Sequence, residues 1–222
     1  MRYNIKLYGI LFCMLLLSGC GRIVDWAKDS FYQGDQLRDY SDIPRQFMRS
    51  ITVYDQFETL GIFDVLWLAG PVRTSYAQLH ACRHGKSCEH EKAFLRRQLE
   101  ENKHFIDFYV LSLYSKPLDV EDAFWSLFLE IDGCRYAPRE IKAIDLTPEY
   151  KFFFGKRFSK FKVSYIVRFS ACDIENMPLI DEDTSCISLV FRSVEKEAVL
   201  SWDLTKLPCA TQLVDCECKE LH

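Results

Sequence analysis

The sequence is short of basic side chains, of glycine and of any long apolar run. Lysine and arginine total 28 against 32 acids, a formal charge of −4, whereas a nucleic-acid binder presents a basic face or stripe. Nucleic acid is therefore not an expected partner. Only nine glycines occur in 222 residues, and none sits in a phosphate-cradling G-x-x-x-x-G-K loop. G-x-S-x-G and H-E-x-x-H are missing as well, so motifs assign no catalytic residue, no metal ligand and no cofactor. Catalytic triads are scattered in sequence, so an enzyme stays open, but nothing points to one. The apolar run Leu7–Leu17 (LYGILFCMLLL) falls short of the roughly 20 residues that a spanning helix needs.

That run belongs to a different device. Arg2 and Lys6 precede it without an accompanying acid, which gives the charged n-region and apolar h-region of a signal peptide. Leu17-Ser18-Gly19-Cys20 follows. This tetrapeptide resembles the lipobox of bacterial lipoproteins, an aliphatic residue and two small ones ahead of an obligatory cysteine. The resemblance is confined to the start of the chain and implies cleavage before Cys20 with lipid on its thiol. Residues 1–19 are then signal peptide, 20–48 a lipidated membrane-proximal segment, and 49–222 a single folded domain. More than one acyl chain holds a protein stably on a bilayer, each buried methylene contributing about 0.8 kcal/mol. The expected address is the cell envelope, with the membrane reached through the lipid on Cys20. Gly21 replaces the aspartate that, in proteobacterial lipoproteins, resembles an inner-membrane retention signal, which favours the outer membrane. The membrane-proximal segment carries Ile23, Val24, Trp26, Phe31 and Tyr32 where a flexible tether is usual, so a short helix or packed segment is expected.

Eight further cysteines follow Cys20: Cys82, Cys88, Cys134, Cys172, Cys186, Cys209, Cys216 and Cys218. On an exported chain an even set reads as disulfides. Two pairs suggest themselves: Cys82–Cys88 across a helical hairpin, and Cys172–Cys186 at the base of a long acidic loop. The domain is thus expected to be disulfide-braced.

Periodicity supplies the fold. Ile51, Val53, Phe63, Val65, Trp67 and Ala69 alternate, predicting one long strand bent near Gly61 or two strands. Residues 72–103 have helical spacing interrupted at Gly85, with Ser87, Glu89 and Glu91 suited to starting the second helix. Phe105–Tyr114 is apolar on both faces, as a central strand requires. Strands are also predicted from Trp125 to Ile131, ending in the hairpin turn Asp132-Gly133, from Lys160 to Cys172 with Phe161, Val163, Tyr165, Val167 and Phe169 on one face, and as a pair from Ile187 to Leu204. About seven mostly antiparallel strands with one helical insertion predict an α+β fold, mainly a β-sandwich-like domain with a helical hairpin.

Three clusters could carry function. His80 and His84 lie four apart, one face of a helix, and with Cys88 and His90 could complete a zinc site, yet Gly85 interrupts the helix there and a Cys82–Cys88 bridge is the preferred reading. Asp173, Glu175, Asp181, Glu182 and Asp183 lack the fixed spacing of a calcium loop and read as a solvated loop. Residues 151–162 (KFFFGKRFSKFK) interleave cations with phenylalanines, and Lys156, Arg157 and Lys160 form a candidate patch for an anionic surface or a partner. The function expected overall is a lipid-anchored envelope protein, a non-enzymatic binding module with an envelope protein partner. The alternatives are an envelope hydrolase and an accessory lipoprotein of a secretion or surface-assembly machine.

Overall fold

The computed structural model describes residues 40–208. The signal peptide, Cys20, the segment from 21 to 39, Cys209, Cys216 and Cys218 lie outside them, and no described helix is long and apolar enough to cross a membrane. The described residues belong to a unit that begins at Tyr40.

A helical segment at residues 40–46 leads into β1 (Met48–Asp55), which pairs antiparallel with β2 (Glu58–Trp67). Of the two expectations the second holds, two strands, but they part at a hairpin turn that holds Gln56 at φ 50° and not at Gly61. Gly61 lies inside β2, opposite a register shift between Val53 and Tyr54. Its role is space: a Cβ there would stand 2.9 Å from the ring of Phe63. That ring is fully buried, stacked on Phe191 and edge-on to Trp125.

β2 ends at Trp67, short of Pro71, and Pro71 instead lies in the first turn of α1 (Gly70–Arg83), where its missing N–H costs nothing. The helix closes on Gly85, whose φ of 56° allows Gly85 N–H to reach Cys82 O and Lys86 N–H to reach Ala81 O. This is the left-handed helix end that favours glycine. Helix α2 (Cys88–His104) follows, with Ser87 Oγ accepting from His90 N–H and Glu89 and Glu91 in its first turn, as predicted. Strand β3 (Phe105–Leu113) returns to pair with β2 on one side and β7 (Val163–Ser170) on the other.

Two sheets result, all of their pairings antiparallel. The first has the order β1-β2-β3-β7-β6, with β6 at Glu140–Ala143; the second runs β5-β4-β8-β9, from β4 (Ser126–Ile131), β5 (Cys134–Tyr136), β8 (Cys186–Arg192) and β9 (Glu197–Asp203). The core lies between them. Phe63, Phe108, Val167 and Phe169 from the first sheet meet Leu129, Leu189, Phe191 and Trp202 from the second. The outer face of the first sheet is covered by a helical layer, α1 with α2 and the short α3 (Pro148–Phe154), joined by the stacked rings of Tyr76 and Tyr150 over Tyr109. The α+β sandwich with a helical hairpin is the observed fold. Two short strands, β5 and β6, and α3 were not predicted; three to seven residues are too few for a period to show.

The predicted strand face from Phe161 to Phe169 holds only from Tyr165 onward. Phe161 and Val163 are exposed, because β7 begins at Val163, where its neighbour β3 is ending.

The tight seat at Gly61 makes a prediction. Gly61→Ala forces the Phe63 ring against Phe191 and should destabilise by about 1–3 kcal/mol, the usual cost of overpacking a filled core, read as a lower denaturant midpoint at unchanged slope.

Candidate functional site

Charge is buried beneath the helical layer. Asp107 comes from β3 and Arg73 from the first turn of α1, and both side chains are almost wholly buried. Arg73 Nη2 donates to Asp107 Oδ2 at 2.7 Å, Nη1 donates to Glu101 Oε2 at 2.9 Å and Gln98 Oε1 at 3.1 Å, and Nε donates to Asn102 Oδ1. Arg168 of β7 completes the group, its Nε donating to Asp107 Oδ1 at 3.0 Å while its guanidinium lies over the Phe105 ring. A cavity of about 250 Å³ opens beside these groups, its wall completed by Tyr76, Tyr109, Thr147 and Tyr150. Burial raises the Tyr109 hydroxyl to about 12 and lifts those of Tyr76 and Tyr150 as well. These phenols stay protonated near neutrality and can donate a hydrogen bond. The ions, by contrast, are committed to one another.

A second group sits at the far end of α1. Since the helix continues to Arg83, His80 and His84 keep to one face, with ring centroids 4.3 Å apart. The third member is Glu149 of α3, whose Oε1 stands 3.8 Å from His80 Nδ1, 3.7 Å from His84 Nε2 and 3.5 Å from Arg83 Nη1. Cys88 is disulfide-bonded and does not join, nor does His90. The imidazole of His90 approaches Ser87 Oγ at 3.3 Å and lines a neighbouring cavity of about 200 Å³ between the two helices.

The predicted staples are not formed. Cys82, Cys172 and Cys186, together with Cys134, are free, so Cys82 is not the partner of Cys88. Backbone hydrogen bonds around Gly85 already close the helical hairpin. In the acidic loop Asp173 Oδ1 accepts from the N–H groups of Glu175 and Met177, and Asp181 Oδ1 accepts from those of Asp183 and Thr184. Two carboxylates thus build turns within the loop, while Cys172 lies past the end of β7 in an isolated bridge with Pro178 and Cys186 opens β8.

The candidate patch divides. Arg157 turns back to Ser50 Oγ at 3.0 Å and lies 3.6 Å from the buried carboxylate of Asp64. Lys162 pairs with Asp64 and Lys151 with Asp145. Lys160 lies over the Phe161 ring, and Lys156 has no ion-pair partner among the described residues. The segment ends beside something larger. Register places the β1–β2 turn, the β3–β4 loop, the start of β7 and the β8–β9 turn at one end of the sandwich, and Lys196 ties the last turn to the first through Asp55 at 3.1 Å. Of the twelve large apolar side chains exposed among the described residues, eight belong to this end. Phe57 and Val194, at the tips of two turns, are as accessible as in an unfolded chain, and Tyr54, Tyr114, Phe124 and Phe161 join them.

No family model, no curated protein and no solved structure matches the chain. The reading of its sites therefore rests on geometry alone. Sequence reasoning missed Asp107, although a single acid inside the apolar run Phe105–Leu113 is a signal that it needs a cation. It missed Glu149 for want of any signal, because only the packing of α3 on α1 brings the carboxylate to the histidines.

Two predictions follow from the buried charges. Asp107→Asn leaves Arg73 buried with its shortest ionic contact gone and should destabilise by about 3–5 kcal/mol, the cost of breaking a buried pair from one side, measured by chemical denaturation. The raised Tyr109 hydroxyl contributes stability that is complete below the unfolded value near 10 and is lost as pH climbs to about 12. Unfolding free energy should fall across that window, and Tyr109→Phe should flatten the decline.

Proposed function

We propose that this chain is a lipid-anchored protein of the bacterial cell envelope, favouring the outer membrane, whose sandwich domain is a non-enzymatic binding module for another envelope protein. The anchor reading rests on Leu17-Ser18-Gly19-Cys20 behind a signal-length apolar run. The binding reading rests on one observation, the gathering of eight exposed apolar side chains at one end of the sandwich. Monomeric proteins rarely leave a contiguous apolar patch uncovered, and those that do use it to bind. Aromatic side chains supply large contact area at low entropic cost, so Phe57, Tyr54 and Tyr114 suit the centre of such an interface. Acids accompany them: Glu58, Glu121, Asp122 and Glu195 are exposed on the same turns and loop. With Lys116 and Lys160 exposed beside Phe124 and Phe161, the rim carries both signs of charge, which a protein surface of complementary charge accepts.

The test uses the lipidated chain in its own envelope. Cys20→Ala should abolish incorporation of a labelled fatty acid, and persistent labelling would remove the anchor from the reading. Crosslinking followed by purification should recover a defined protein with the parent chain and lose it when Phe57 and Val194 are both changed to serine. These tips are fully exposed, so stability should move by no more than about 0.5 kcal/mol. Equal recovery by the variant, or low-salt binding to anionic vesicles that the variant loses, would replace the protein partner with another explanation.

A further inference from the structure

Three groups that bind metals well converge where α1 ends against α3. His80 and His84 are one helical turn apart, and the Glu149 side chain, only 3% exposed, faces both of them. One donor atom from each lies within 4.8 Å of the other two. None of these separations is a hydrogen bond, for the contacts of 3.7 and 3.8 Å to Glu149 Oε1 exceed the range of such bonds. His80 Nδ1 is buried and bonded to nothing among the described residues. A buried imidazole nitrogen and a buried carboxylate that face each other without bonding have lost their water and gained little in return. Arg83 reaches Glu149 at 3.5 Å with its own side chain 42% exposed, and does nothing for His80.

We infer that His80, His84 and Glu149 form a site for a divalent transition metal of the zinc class. Two imidazoles and one carboxylate make a donor set of borderline softness that zinc accepts, whereas calcium and magnesium take oxygen ligands. Zinc holds such donors at about 2.0–2.2 Å, which in a tetrahedron sets them roughly 3.4 Å apart. The separations to Glu149 need shrink by only a few tenths of an ångström. Three protein ligands leave a fourth position for water or a small anion. The bound ion ties the end of α1 to the start of α3, bonds His80 Nδ1, and competes with Arg83 for the Glu149 carboxylate. Cys88 and His90, which the sequence offered as third and fourth ligands, take no part.

Cobalt(II) is a suitable probe, because its visible absorption reports tetrahedral nitrogen and oxygen ligation and zinc should displace it. The full chain, stripped with chelator and with its thiols alkylated, should take up about one cobalt per chain, as a single site requires. His84 is half exposed, so His84→Ala should fold normally and weaken binding by at least about tenfold, the smallest loss that even a hydrogen-bonding partner of a ligand produces. Arg83→Ala should tighten binding by removing the competing cation. Zinc should raise the thermal midpoint of the parent chain more than that of His84→Ala. Absence of uptake by the alkylated chain, or equal affinity in the parent and His84→Ala, would each overturn the site.

Discussion

Asp107 carries a negative charge into a part of the molecule where the chain otherwise places apolar and aromatic groups, and it persists there because two arginines meet it from opposite sides. Arg168 arrives from the neighbouring strand and Arg73 from the helical layer above. A carboxylate buried there without partners would be costly. The pairing therefore fixes more than one contact. Arg73 also holds three side chains of α2, so one guanidinium sets the position of α1 on the sheet and of α2 on α1. α2 has no fully buried residue of its own, and this polar grip stands in for the apolar stripe that seats most helices.

From that placement the rest of the outer face follows. Once α1 is held over β3, its Tyr76 offers a ring on which Tyr150 of α3 stacks, and α3 brings Glu149 to the end of α1. Among the described residues the helical layer does not extend to the loop end of the sandwich, where the aromatic tips are exposed. One end of the molecule is thus organised by buried charge and the other by uncovered apolar surface.

Particular residues show how far the sequence could be read. The alternation from Tyr165 to Phe169, the apolar run at β3 and the turn at Asp132-Gly133 were readable because each uses local rules of period and turn chemistry. Ser87 was readable as a helix start for the same reason. Two strands were readable, but Gly61 misplaced the break between them, since a glycine that makes room for a neighbouring ring looks the same in sequence as one that breaks a strand. The cysteine pairings misled too: Cys88 is bridged as an even count on an exported chain argues, but Cys82, Cys172 and Cys186 are free, because which sulfurs can meet is set by packing and not by count.

What the sequence by itself determined was the order of the longer strands and helices and, over most of their length, the face each turns inward, because hydrophobic period is a property of neighbouring residues. Only the tertiary structure decided which distant residues share a site. Glu149 lies 65 residues beyond His84 in the numbering, and Phe57 lies far from Val194, yet each pair is brought to one place by packing. Their proximity arises from two sheets closing on a core and a helical layer held down by Asp107, and no local pattern encodes a contact that forms only after the chain has folded.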